Sequence, residues 1–190
     1  MAEQNFLVLV TGAPASGKTK IAEKLSQDFN IPLVRKDELK ELLFDSLGWS
    51  DREWSKKLGK TTYDLMYSEV RRNLAAKRTL IIEANFRPEY DDKLLQELQE
   101  GYGFPIFQIH CQAPLDVLSK RFRERVETGN RHPGHVDENN YKIFEDPELL
   151  SYFAPLSVKG ELVEVDSTED FDNYYPEIKE KLTRFKTGSV

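Results

Sequence analysis

The sequence predicts an α/β fold in which five parallel strands form one sheet with helices packed on both faces. Three observations carry that expectation. Five short apolar runs alternate with segments of helical periodicity, the order that produces a parallel sheet. The first run, Phe6–Thr11 (FLVLVT), is apolar almost throughout instead of alternating, as a strand buried on both faces must be. Directly after it stands Gly12-Ala13-Pro14-Ala15-Ser16-Gly17-Lys18-Thr19, a G-x-x-x-x-G-K-[ST] pattern set between a strand and a helix.

The elements follow in order. From Lys18, the apolar residues Ile21, Ala22, Leu25 and Phe29 recur at helical spacing. Ile31–Val34 is a short second strand, with Pro32 confining it to an edge or to a strand start. Asp37 opens a helix with a stripe of Leu39, Leu42, Leu43 and Leu47 that ends near Gly48. Segment 50–76 carries Trp54, Leu58, Leu65, Met66, Val70 and Leu74 as core positions of one helix, or of two broken at Gly59. Thr79–Glu83 is the third strand. Pro88 starts a helix with Tyr90, Leu94, Leu95 and Leu98 inside and the Gly101–Gly103 turn at its end. Phe104–Cys111 is the fourth strand, and Pro114 leads a helix with Leu115, Leu118, Phe122 and Val126 inside. Thr128–Asn140 is polar and aperiodic, the mark of a functional or a disordered loop in a compact domain. Glu161–Asp166 is the fifth strand, Pro176–Phe185 a closing helix, and Lys186–Val190 a frayed tail.

The bulk numbers narrow the class. At 190 residues, one domain over 1–190 is expected, long enough for a real core. A hydrophobic share of 39% and a charged share of 32% describe a folded, soluble chain. The formal charge of −6 argues against a general nucleic-acid binder, although it allows a local basic cleft. Cys111 is the single cysteine, which excludes intramolecular disulfides and Cys-rich zinc sites. The N-terminus shows no signal segment, no apolar run approaches the roughly 20 residues of a membrane span, and the expected location is cytoplasmic.

The glycine-rich motif specifies chemistry. Glycines let backbone N–H groups converge on phosphate oxygens at a helix N-terminus. Lys18 supplies a cation for the β- and γ-phosphates and Thr19 a hydroxyl ligand for Mg²⁺. The expected fold is therefore that of a P-loop NTPase, with Gly12 to Thr19 holding ATP. Its remaining chemistry should lie at the carboxyl ends of the other strands. There Asp37, 19 residues after Lys18, is a candidate general base for an acceptor hydroxyl, or a helix N-cap, or both. Glu83, where Asp is usual, is a metal-shell candidate with Thr19, or faces the substrate. Asn85 and Arg87 are placed to hydrogen-bond the acceptor. Arg121 and Arg125, four apart on one helix face, begin a mobile lid over about 121–140 that would close on the phosphates; the alternative is a solvated basic helix end. His132 and His135 flank Pro133-Gly134, which prevents helical aim at one ion, so a loop or substrate contact is favoured over a metal site. His110 and the neighbouring Cys111 point to opposite sides of their strand.

With these residues assembled, the chain resembles the small P-loop kinases of the polynucleotide-kinase and chloramphenicol-phosphotransferase type, often labelled AAA-type ATP-binding proteins. The matching pieces are GAPASGKT (Gly12–Thr19), VRKDELK (Val34–Lys40), LIIEANF (Leu80–Phe86) and APLDVLSKRFRER (Ala113–Arg125). The resemblance implies Asp37 as general base and Arg121 and Arg125 as lid arginines, with Glu83-Ala84-Asn85 in the place of an Asp-Thr-Asn segment. Lys40 stands where the polynucleotide kinases carry an acceptor-side arginine, a departure that, with the acidic charge, weighs against a polynucleotide substrate. The expected activity is ATP-dependent phosphoryl transfer to a hydroxyl of a small molecule, without membrane or obligate protein partner. Its rivals are a 5′-hydroxyl polynucleotide or nucleoside kinase and a nucleotide-dependent switch or ATPase. A GTPase switch is disfavoured because no N-K-x-D motif is present and Asp45-Ser46-Leu47-Gly48 lies in a helical pattern.

Overall fold

A computed structural model describes residues 5–129, 131–137 and 141–188. The strands are β1 (Leu7–Gly12), β2 (Leu33–Arg35), β3 (Leu80–Glu83), β4 (Ile106–Gln112) and β5 (Gly160–Asp166). They form one sheet in the order β2-β3-β1-β4-β5, and every pairing is parallel. The helices are α1 (Lys18–Phe29), α2 (Lys36–Leu47), α3 (Arg52–Ala75), α4 (Pro88–Tyr102), α5 (Leu115–Glu127) and α6 (Phe171–Thr187).

Both faces of β1 are covered, which is why its sequence does not alternate. Val8 and Val10 pack with Ile21 and Leu25 of α1 and Ile178 and Leu182 of α6. Leu7 and Leu9 pack with Met66 and Val70 of α3 and Leu95 of α4. A third cluster caps the carboxyl end of the sheet, where Leu118 and Phe122 of α5 meet Phe144, Leu149 and Phe153. Fully burying each such side chain contributes roughly 1.5–3 kcal/mol. Connections that return the chain over alternate faces leave β1 between β3 and β4, so the loop after β1 opens at the point where the winding reverses.

Several expectations are corrected. The second strand spans Leu33–Arg35 in place of Ile31–Val34; it is an edge strand, as Pro32 requires, and the Pro32 carbonyl just before it accepts from Ile81 N. Asp37 is not a cap: Arg35 is the N-cap residue of α2, without a side-chain cap bond, and Asp37 lies inside the first turn. Only part of the leucine stripe of α2 is covered: Leu39 packs on the cluster that holds Leu7 and Leu9, and Leu43 is half-buried. Leu42 is 57% and Leu47 60% exposed, whereas Lys40 and Phe44, one turn apart, are buried. The reason is a segment absent from any helical-wheel reading: the chain after α5 returns over α2 and seats Gly134, His132 and His135 on the Phe44 ring. Segment 52–75 is one helix, and Gly59 does not break it; Leu65 is exposed. Tyr90 is exposed, and the buried Asp91 takes its turn of α4, accepting from Arg87 N and Tyr67 Oη. α6 begins at Phe171, capped by the Asp170 side chain, carries Pro176 inside it and runs through Thr187 to a Gly188 cap, so Lys186 and Thr187 of the expected tail are helical; positions 189 and 190 lie outside the described residues. Within the polar loop, Pro133–His135 form a 3-10 turn; Asn130 and positions 138–140 lie outside the described residues.

Candidate active site

The loop after β1 is shaped by close approach. At Gly12, φ is +140° and a Cβ would lie 2.1 Å from the Cys111 carbonyl oxygen, so only glycine fits there. Gly17, at φ +83°, precedes α1 in the left-handed region, and Ala15 shares that region at φ +64°. Non-glycine residues held there are uncommon and mark a constrained turn, closed by Ser16 N donating to Ala13 O. Lys18 is buried, and its Nζ donates to Ala13 O at 2.7 Å and lies 3.4 Å from Ser16 Oγ.

A cleft of about 710 Å³ opens above this loop, within the range of ligand sites. It brings together Pro14 through Thr19, Asp37, Lys40, Glu83, Asn85, Arg87, Arg121 and Arg125; of the predicted site residues, only Gly12 and Ala13 sit behind its wall. Those two are buried and act through their carbonyls, Ala13 toward Lys18 and Gly12 toward Asn85 Nδ2 at 2.9 Å. Asn85 thus ties β3 to the phosphate loop, and its own carbonyl accepts from Tyr63 Oη.

Glu83 stands beside Val10 and Arg35 in the sheet register, on the strand between β1 and β2, the strand that leads into the Asp37-bearing α2. It accepts from Thr19 Oγ1 at 3.3 Å, so the hydroxyl and the carboxylate share one spot suited to a divalent cation. Burial pushes the Glu83 carboxyl up, while Lys18 opposes the shift. Burial likewise pushes the Lys18 ammonium down, against the pull of Glu83. The two form a buried, mutually compensating pair at the loop. Among the described residues, no three His, Cys, Asp or Glu side chains group as a metal site.

The arginines of α5 differ in what they hold. Arg121 donates to Ser167 Oγ at 2.9 Å and Ser167 O at 2.7 Å, locked to the turn after β5. Arg125 is not locked in this way, and its buried Nε has no partner among the described residues. Burial and then Arg131 hold its guanidinium below the ordinary value.

Arg131, within the span expected to form the lid, joins three groups. Its Nη1 donates to Asp37 Oδ2 at 2.8 Å, its Nε pairs with Asp137, and its Nη2 donates to His135 Nδ1 at 3.1 Å. Arginine has no acceptor, so His135 Nδ1 must be the bare nitrogen and its Nε2–H donates to Glu41, 2.8 Å away. By the same logic His132 accepts from Gly134 N on Nδ1 and donates from Nε2 to Asp45 at 3.1 Å. Both histidines therefore fasten the segment onto α2 on separate carboxylates. Burial alone would raise the Asp37 carboxyl, yet the charges of Lys36 and Arg131 outweigh it and hold it well below the usual range. Asp37 is a half-buried, fully ionised carboxylate facing the loop across the cleft. The signal that could have found these contacts of Arg131 was the glycine and proline spacing of RHPGH, which commits that loop to a tight turn.

Comparison with known proteins places the chain in a family and a fold. An AAA domain model matches residues 7–145. A protein of Chloroflexus aurantiacus j-10-fl assigned as a kinase is 36% identical, with 94% of this chain and 98% of that one covered at a TM-score of 0.83. A gluconokinase of Sinorhizobium meliloti 1021 shares the fold at 18% identity and a TM-score of 0.53, with 99% and 97% covered. In sequence, a sulfate adenylyltransferase of Neurospora crassa is 28% identical over 152 residues, covering 76% of this chain; the chain spans only 25% of that relative's length.

Proposed function

The chain belongs to the AAA domain family and has the P-loop kinase fold, which binds nucleotide, and from that premise we propose that it transfers the γ-phosphate of ATP to a hydroxyl of a small molecule. The observation that carries the reading is the pairing across one cleft of Lys18, Thr19 and Glu83 at the loop with the ionised Asp37 opposite. Lys18 and the loop amides hold the β- and γ-phosphates. Thr19, with Glu83 behind it, holds Mg²⁺, which neutralises charge on the phosphates. Asp37 accepts the acceptor proton as the oxygen–phosphorus bond forms and the bond from phosphorus to the β–γ bridging oxygen breaks, releasing ADP. A carboxylate with so low a proton affinity suits a loose transition state, in which the hydroxyl proton leaves late. Arg125 reaches the transferring group, Arg121 fixes the nucleotide side, and Lys40, Asn85 and Arg87 line the acceptor side.

The test is ADP release across a panel of metabolites and antibiotics, with Asp37→Asn as the blank. The variant should lose about 10²- to 10⁴-fold in transfer while Mg·ATP affinity stays within about twofold. Equal turnover by Asp37→Asn would remove the base from the reading.

A further inference from the structure

Many cations line the cleft, and a triphosphate accounts for only some of them. Lys18, Arg121 and Arg125 surround the phosphate loop. Lys40 and Arg52 line the same cleft from α2 and α3, beneath the segment that carries His135. Lys40 is only 5% exposed, and its Nζ donates to Ser55 Oγ at 2.9 Å. Arg52 Nη1 donates to the His135 carbonyl at 3.2 Å, and Ser55 Oγ lies 3.4 Å from that oxygen. Among the described residues, neither cation has a carboxylate within ion-pair distance. The nearby carboxylates are engaged: Asp37 with Arg131 and Lys36, Glu41 with His135.

Besides that hydroxyl, the ammonium has the Phe44 ring 5.2 Å away but no carboxylate in ion-pair contact, so its desolvation is only partly repaid. Burial, then the like charges of Lys36, Arg52 and Arg131 against the pull of Asp37, bring the Lys40 ammonium down to about 7. Gly59 of α3 adds to the enclosure; a Cβ there would lie 3.6 Å from Lys40 Nζ. The pair is thus a preorganised positive site one helical turn from Asp37.

Resting on the phosphotransferase reading above, we infer that the acceptor is a hydroxyl compound that also bears an oxyanion group, carboxylate, phosphate or sulfate, held by Lys40 and Arg52 so that its hydroxyl meets Asp37. An anionic acceptor beside a triphosphate is strongly repelled unless fixed cations offset it.

Two arms test this. In the first, the full chain loaded with Mg²⁺ and a non-hydrolysable ATP analogue is titrated at constant ionic strength with sulfate, inorganic phosphate or acetate. Lys40 Nζ is followed by NMR and proton uptake by calorimetry. One oxyanion should bind per chain with proton uptake at neutral pH, and Lys40→Met and Arg52→Met should each weaken it at least tenfold, with Lys40→Arg restoring most of it. Preference for sulfate or phosphate over acetate identifies a phosphoryl- or sulfuryl-bearing acceptor, and the reverse a carboxylate. No binding beside the filled phosphate loop, or binding indifferent to Lys40→Met in a variant that still folds, overturns the inference. In the second arm, glycerol, glycerate and glycerol 3-phosphate are compared as acceptors. Transfer favouring the anionic members supports the inference, and transfer favouring glycerol overturns it while leaving the kinase reading intact. Oxyanion binding in the first arm, with ATP hydrolysed but no hydroxyl compound of the wider panel phosphorylated, removes the kinase reading while the site itself stands.

Discussion

Replacing Arg131 by methionine removes the guanidinium that joins three groups while keeping much of the apolar stem. The loss is the Asp37 pair at 2.8 Å, the Asp137 pair and the hydrogen bond to His135 Nδ1 at 3.1 Å. A charge-assisted bond contributes about 1.5–3 kcal/mol, and breaking a fully buried ion pair costs about 3–5 kcal/mol. The Asp37 side chain is 32% exposed and keeps Lys36, so the effect falls at the low end. About 2 kcal/mol is expected, a roughly 30-fold shift toward release of segment 131–137 from α2. Amide exchange reads this directly: Val136 N donates to Pro133 O and Gly134 N to His132 Nδ1, and both should lose protection about 30-fold. Trp49, whose ring lies 6.4 Å edge-on from His132, reports the same release by fluorescence. Protection unchanged within about threefold would show that Arg131 does not hold the segment, and the geometric argument would fail.

The histidine pin gives the closure a pH dependence. His135 is held below its ordinary value, first by burial and then by Arg131, so it is neutral when seated; protonation favours release, and closure should weaken as pH falls below about 6.5. In His135→Gln the Trp49 signal should lose that dependence between about pH 5 and 8, and a dependence surviving intact would exonerate the histidine. Gly134→Ala would place a Cβ 2.6 Å from Phe44 Cγ, a rigid ring with no room to yield, and should lift the segment and raise KM more than it lowers stability by denaturant titration. Gly12→Ala, aimed at a backbone oxygen 2.1 Å away, should cost more than about 3 kcal/mol in global stability and abolish nucleotide binding.

What the sequence made legible follows from how each element is buried. β1 and the strands beside it are covered on both faces, so composition alone marked them, and the glycine-rich turn could be placed because its conformation is dictated locally. Helix α2 was misread for the opposite reason. Its exposed Leu42 and Leu47 look like core at helical spacing, and its true burial at Lys40 and Phe44 is imposed by a segment about 90 residues later in the chain. Tyr90 and Leu65 failed alike: amphipathic spacing fixes a stripe but not which neighbour covers it. Pro176 suggested a helix start, yet α6 begins five residues earlier at Phe171, capped by the Asp170 side chain, and carries Pro176 in its second turn. Asp37, Glu83 and the α5 arginines were legible because strand ends define one edge. The division of labour between Arg121 and Arg125 was not, since Ser167 becomes a partner only through the return of β5.

The contact between Arg131 and the proposed base is compatible with catalysis. A carboxylate offers four lone-pair sites, and Arg131 uses Oδ2 while Lys36 lies 3.1 Å from Oδ1. A bond on one oxygen fixes the carboxylate plane, and at the other only the long, single-bonded lysine must yield to an acceptor hydroxyl. Arg131 is then a positioning residue for Asp37. A structural role alone would lower stability in Arg131→Met and leave the pH profile of turnover in place. Positioning instead raises the Asp37 pKa, because the guanidinium that depresses it has gone, and moves the acidic limb of kcat/KM to higher pH. Arg131→Lys restores charge but not the fork, so it should recover that limb while leaving kcat reduced.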